Sequence, residues 1–251
     1  MDTILSEEKN RRIAMLIDGD NAQASLIKNI LTETGKYGLV TIRRIFGDWT
    51  TANMNGWKET LQTYAIQPIQ QFRYTTGKNA TDSAMIIDAM DILYEGIVDG
   101  FCLVSSDSDY TRLATRLREK GIFVMGIGRK TTPRAFVNAC EVFVITENLS
   151  IETPKQKPQT SSHKPQESPK INAPELVALL KNAFEMAVQD NGWASLGALG
   201  NHLRQLDPSF DSRTYGQRQL SSLIQAFPEY FDYKESKKKD GNSIISVRIK
   251  E

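Results

Sequence analysis

Histidine is almost missing from this chain: of 251 residues only His163 and His202 carry an imidazole, and neither lies within residues 1–150. Histidine-based nucleophile triads and histidine-ligated zinc are thereby excluded from the N-terminal part. Cysteine is as scarce. Cys102 sits in a strand-like run and Cys140 near a predicted helix end, without Cys-x-x-Cys spacing, so both read as reduced core thiols. Long apolar runs are lacking too. None approaches the roughly 18 residues that a membrane span requires, and Met1 to Arg12 is polar and mixed in charge. The expectation is a cytoplasmic protein with no membrane partner and no secretory signal. Nor does one sign of charge prevail: a formal net charge of +1 supplies no bulk field for nucleic acid, so any such contact has to use local patches. Carboxylates remain as the reactive groups of the N-terminal part.

The composition, 40% hydrophobic and 24% charged, is that of soluble globular protein, and the length predicts two domains. Strand-like runs occur at Ile13 to Ile17, Leu39 to Phe46, Ala65 to Phe72, Phe101 to Val104, Ile122 to Ile127 and Val142 to Ile145. Helical patterns separate most of them. Ala22 to Thr34 carries Leu26, Ile27, Ile30 and Leu31 at helical spacing before Gly35 and Gly38. Thr81 is placed to cap a helix with Met85, Ile86, Ala89 and Leu93 in one stripe, ending near Gly96, and Tyr110 to Lys120 ends at Gly121. Alternation of this kind predicts an α/β fold with a parallel sheet covered on both faces.

From Thr153 to Pro174 the composition turns to Pro, Lys, Gln and Ser, which reads as an exposed, disordered linker, placed at 150–172. His163 belongs to it as a solvated residue. Beyond it, Leu176, Leu179, Leu180, Phe184 and Val188, then Leu196, Leu199 and Leu203, then Leu220, Leu223, Ile224 and Phe227 recur at helical spacing, and a hairpin pattern follows at Tyr230 to Lys234 and Ile244 to Ile249. Three helices and a β-wing predict a small winged helix-turn-helix domain.

The chemistry of the first domain rests on Asp18, Asp82, Asp107 and Asp109. Asp18 ends the apolar run Ile13 to Ile17, and Asp107 and Asp109 follow Phe101 to Val104. Such runs read as buried parallel strands, and an α/β sheet opens its crevice at their carboxyl ends. Carboxylates crowded there repel one another, and unless some stay protonated the expected remedy is a hard divalent cation such as Mg²⁺ or Mn²⁺. If Asp18, Asp82 and Asp107 converge, such an ion suits phosphodiester hydrolysis without a covalent nucleophile. Plainer readings stand beside this one. Asp20 or Asn21 suits helix capping, Asp82 the positive end of a helix dipole, Asp107 or Ser108 an N-cap, and Asp109 a first-turn acid. Asp88 and Asp91 read as a solvated helix face. Arg43, Arg44, Arg73, Lys78, Arg129, Lys130 and Arg134 flank predicted strand ends or loops, where they suit either RNA phosphates or ordinary surface charge. Trp49, Tyr74 and Tyr110 suit either stacking on unpaired bases or packing into the core.

Ile-Asp-Gly-Asp-Asn at 17–21, Thr-Asp-Ser-Ala-Met-Ile-Ile-Asp-Ala-Met at 81–90 and Val-Ser-Ser-Asp-Ser-Asp-Tyr at 104–110, together with Gly121 to Gly128 and Ala139 to Phe143, resemble the NYN domain, a PIN-like ribonuclease family, over residues 11–149. The resemblance implies a PIN-like sandwich with family metal positions on Asp18, Asp82, Asp107 and Asp109 and an accessory polar position on Asn21. One departure is visible: Ser106 stands where the family often has glycine, and a positive φ there would strain serine. Residues 173–251 are similar to the LOTUS domain, also called OST-HTH, through Leu176 to Ala187, Trp193, Leu196 to Leu203, Pro208, Phe210, Tyr215, Leu220 to Ile224 and Phe231. That resemblance implies an RNA or protein partner. Ten basic and ten acidic residues balance across 173–251, with Lys237 to Lys239 as a basic wing.

Together these readings predict a metal-dependent endoribonuclease acting on single-stranded RNA. Asn21, Arg43, Lys78 and Arg129 are the expected substrate contacts, and family habit adds a homodimer. The alternatives are an RNA-binding regulator without turnover and a haloacid-dehalogenase-type phosphatase built on Asp18 and Asp20.

Overall fold

The computed structural model describes residues 11–72, 80–149, 173–237 and 243–250. The chain divides into two compact units between residues 153 and 154.

In the first unit the described residues form a six-stranded, fully parallel sheet in the order β3-β2-β1-β4-β5-β6. Its strands are β1 (Arg12–Asp18), β2 (Leu39–Gly47), β3 (Gln67–Gln70), β4 (Gly100–Val104), β5 (Phe123–Gly128) and β6 (Val142–Ile145). The helices are α1 (Ile27–Thr34), α2 (Lys58–Thr63), α3 (Ala80–Glu95), α4 (Thr111–Glu119), α5 (Arg134–Ala139) and α6 (Thr146–Leu149). Because side chains alternate along a strand, β1 feeds two cores. Ala14 and Leu16 pack with Met85, Ala89 and Ile92 of α3 and with Leu113 and Leu117 of α4. Ile13, Met15 and Ile17 pack on the other face with Ile27 and Ile30 of α1 and with Trp57. Both faces are covered, so the central strands are apolar throughout, as the runs in the sequence required.

The strand order carries the functional consequence. From β1 the chain moves outward through β2 to β3, then returns to the other side of β1 at β4. Their carboxyl ends therefore diverge at a topological switch point, where α/β sheets open a crevice. Asp18 ends β1, and Ser105 follows β4.

Several expectations need correction. The helix expected over Ala22 to Thr34 is a 3-10 turn, Ala24–Leu26, followed by α1. The strand expected over Ala65 to Phe72 shortens to four residues. Ala65 takes a left-handed φ of 50° and the Ile66 N–H closes on the Leu61 carbonyl, so both residues finish α2 rather than begin a strand. Thr81 lies inside α3 instead of capping it. Asp88 is not simply solvated: it is half-buried and paired with Arg44 of β2. Cys102 and Cys140 are free and buried, as read, and burial pushes the Cys102 thiol up to about 12.

The second unit packs α7 (Ala173–Ala187), α8 (Leu196–Leu206) and α9 (Leu220–Gln225) beside an antiparallel sheet in the order β7-β9-β8. Its strands are β7 (Ala194–Ser195), β8 (Phe231–Lys237) and β9 (Ser243–Ile249). The core joins Leu176, Leu180, Leu199, Leu203, Ile224, Phe231 and Val247. Val188, expected on the buried stripe, is exposed because α7 ends at Ala187. Lys238 and Lys239 of the basic wing and the whole of the linker at 150–172, His163 included, lie outside the described residues.

Three substitutions test this packing. A Cβ added to Gly128 would stand 2.5 Å from the Ser105 carbonyl and 2.8 Å from Thr132 Oγ1, so Gly128→Ala should cost about 1–3 kcal/mol in urea unfolding by overpacking. Gly56→Ala meets only Ala24 at 4.0 Å and should stay within about 0.5 kcal/mol. Ser195 caps α8 by accepting the Ala198 N–H, and Ser195→Ala should cost about 1 kcal/mol.

Candidate metal centre

Asp18 ends an all-apolar strand and is itself 1% exposed, an environment that penalises a charge unless donors surround it. Three donors do. The Asn21 amide reaches Oδ2 at 2.6 Å, the Ser105 hydroxyl reaches the same oxygen at 2.9 Å, and the Asp20 N–H reaches Oδ1 at 3.2 Å. Burial still dominates and raises the Asp18 pKa; these hydrogen bonds oppose it and nearby Asp82 adds to it. Asn21 thus serves Asp18 rather than an open helix end. Ser105 is a hub absent from the sequence reading: its Oγ also accepts the Asp107 N–H at 3.1 Å, coupling the ends of β1 and β4.

Asp107 precedes a 3-10 turn, Ser108–Tyr110, and caps it by accepting the Asp109 N–H at 2.9 Å. The capping role expected for it is real. Yet the same turn carries Asp107 and Asp109 to Asp82 of α3, and one carboxylate oxygen from each of the three lies within 4.8 Å of the others. Burial raises the Asp82 pKa, its bond from Tyr110 lowers it, and the charges of Asp107, Asp109 and Asp20 raise it again. Asp18 is not in this group of three; its oxygens point into their own hydrogen bonds, within electrostatic reach of Asp82. Asp20, read only as a cap or a phosphatase acid, faces the site: Thr81 donates to its Oδ2 at 3.5 Å, and its charge acts on Asp82.

The donor set consists of carboxylate oxygens, which fits a hard cation and not zinc's preferred nitrogen and sulfur ligands. Two ion-oxygen bonds of about 2 Å span about 4 Å, so a small relaxation would bring all three acids onto one ion.

The basic and aromatic residues divide. Arg129 is exposed just after β5, its N–H held by Ser106 Oγ at 2.9 Å, beside a water-sized hollow that Asn21, Ser105 and Ser106 also line. Arg43 is not brought to the acids. It pairs with Met15, three residues before Asp18 on β1, and its guanidinium donates to the Tyr64 carbonyl at 2.8 Å. Arg73, Tyr74 and Lys78 lie outside the described residues. Trp49 donates to the Ile69 carbonyl and packs against the core. Tyr110 is fully buried beside Phe136, so its ring is not presented to a base, whereas Trp49 stays partly exposed. Ser106 carries no strain, since Ala65 is the sole non-glycine with positive φ among the described residues. The phosphatase reading loses its nucleophile, because Asp18 at 1% exposure, with both oxygens hydrogen-bonded, has no face for attack on a monoester.

Comparison with known proteins follows the same division. Residues 12–149 match the NYN domain family and residues 167–242 the OST-HTH/LOTUS domain. A crystal structure of a protein of unknown function from Vibrio parahaemolyticus is 17% identical, covering 55% of this chain and 94% of its own, with a TM-score of 0.46. A solution structure of an uncharacterised protein from Nitrosomonas europaea is 30% identical, covering 40% of this chain and 92% of its own, with a TM-score of 0.29. No curated protein matches the chain. With a six-stranded parallel sheet and the acidic crevice at its switch point, the chain belongs to the NYN domain family, which is PIN-like and generally nuclease-like, and it carries an OST-HTH/LOTUS domain of the kind that binds RNA.

Proposed function

We propose that this protein is a metal-dependent endoribonuclease that hydrolyses single-stranded RNA. Its domain limits are taken as 11–149 and 173–251, joined by a linker at 150–172. The observation that carries the reading is the approach of Asp82, Asp107 and Asp109 to within 4.8 Å at the point where the sheet diverges. Like charges gathered this closely are a cost that a bound cation removes. Asp82, Asp107 and Asp109 would hold Mg²⁺ or Mn²⁺, and Asp18 stands within electrostatic reach of Asp82 while Asn21 and Ser105 fix its position. A bound ion of this class supplies electrophilic charge at a phosphodiester. Arg129, exposed at the rim, receives a backbone phosphate, and Lys78 is assigned the same task. Arg43, tied to Tyr64, is left with a structural role. The LOTUS domain brings RNA to the crevice or takes a protein partner, and a homodimer is a further part of the proposal. A cytoplasmic setting is part of this proposal; separately, no helix among the described residues is long and apolar enough to cross a membrane.

End-labelled single-stranded RNA and DNA, incubated with Mn²⁺, Mg²⁺ or EDTA, test the proposal. Wild type should cleave RNA internally only with metal, and Asp107→Asn should lose at least about 100-fold in rate, some 2.7 kcal/mol of barrier. RNA binding without metal-dependent, Asp107-dependent cleavage would sink the nuclease and leave the regulator.

The raised pKa values of Asp18 and Asp82 give a second test. A folded carboxylate pKa above its unfolded value contributes stability below the unfolded value, and that contribution is lost as pH rises through the folded one. Metal-free wild type should therefore be less stable at neutral pH than Asp82→Asn, measured by thermal melting. Mn²⁺ at 100 times its Kd should add about 2.7 kcal/mol to wild type and nothing to Asp82→Asn.

A further inference from the structure

Tyr110 is a fully buried tyrosine whose hydroxyl has one described acceptor, Oδ1 of Asp82, at 2.7 Å. Its ring does not move freely to make that bond. It lies against Phe136, centroids 6.3 Å apart, and Phe136 stands edge-on to Phe143 at 5.9 Å, so an aromatic column in the core under α3 and α4 sets the height of the hydroxyl. Tyr110 also closes the 3-10 turn whose first acids are Asp107 and Asp109. One turn thus carries two of the three converging carboxylates and the donor that orients the third.

We propose that Tyr110 is a positioning residue that decides which divalent cation the cluster accepts. The inference rests on the metal reading of Asp82, Asp107 and Asp109 given above. With Oδ1 held by the phenol, Asp82 offers its other oxygen alone and ligates through a single atom. Ca²⁺ favours six to eight oxygens with bidentate carboxylates, whereas Mg²⁺ and Mn²⁺ are satisfied by near-octahedral sets in which water fills the remaining positions. Keeping Asp82 monodentate therefore favours the smaller ions and disfavours Ca²⁺. The hydroxyl is the specific element, because phenylalanine would preserve the ring packing and free the Asp82 carboxylate to rotate into two-oxygen contact.

The test uses the full chain and the metals alone. Mn²⁺ binding is followed by the loss of the free-ion paramagnetic signal, with Ca²⁺ as competitor, for wild type, Tyr110→Phe, Asp82→Asn and the double variant. Tyr110→Phe should lower the ratio of Mn²⁺ to Ca²⁺ affinity by about tenfold or more, the scale of losing a partner that orients a metal ligand. The double variant should show no loss beyond that of Asp82→Asn. An unchanged ratio in Tyr110→Phe overturns the role of Tyr110 while leaving the metal centre standing; a wild type that binds no Mn²⁺ overturns both. Infrared difference spectra of wild type supply a readout independent of whether the variant folds. The band lost in Asp82→Asn should carry the wide carboxylate splitting of monodentate ligation with Mn²⁺, and a narrow, bidentate splitting would refute the proposal.

Discussion

Everything at the mouth of this sheet depends on keeping a carboxylate ionisable at the end of an apolar strand. Asp18 follows five fully buried apolar residues, and it is tolerated because Asn21, Ser105 and the Asp20 amide donate to it. The consequences spread from those bonds. Moving Ser105 from its place after β4 would remove one of the three donors to a buried carboxylate, and with Ser105 fixed the following turn delivers Asp107 and Asp109 to Asp82. Gly128 belongs to the same constraint from the other side, since its missing Cβ lets the Ser105 backbone sit against β5.

Functional and structural explanations of these acids turn out to be complementary rather than rival. Asp107 caps its turn through Oδ1 and still offers a carboxylate oxygen to the cluster. Asp82 stands in the first turn of α3, where the helix dipole favours an acid, and faces Asp107 and Asp109 as well. Local stabilisation offsets part of the repulsion that gathering these carboxylates generates. Burial first, and the charges of Asp107, Asp109 and Asp20 after it, hold the Asp82 pKa above its usual value.

The aromatic and basic residues show how far composition alone can mislead about roles. Trp49 and Tyr110 stand beside the site in sequence, yet both side chains point into cores and use their polar ends as internal donors. Arg43 and Arg44 neighbour each other on β2, but alternation sends their side chains to opposite faces, one to the Tyr64 carbonyl and the other to Asp88. Neither reaches the acids, because both lie upstream of the carboxyl end of the strand. Ser106 departs from the family's glycine without a conformational cost, since its backbone avoids positive φ and its hydroxyl holds the Arg129 amide.

The sequence by itself determined the strand and helix periodicity, the winged-helix pattern behind the linker, and which acids stand at strand ends and helix starts, because buried runs, glycine stops and an aspartate closing an apolar strand are local signals. Even so, it misplaced the start of β3, since the left-handed turn at Ala65 leaves no mark in an alternating pattern. Tertiary structure alone decided the rest. The strand order 3-2-1-4-5-6 set Asp18 beside Ser105, 87 positions away, and it gave Tyr110 its partner on α3. Hydrogen bonds between residues so distant in the chain depend on how sheet and helices pack, and no pattern of neighbouring residues encodes that.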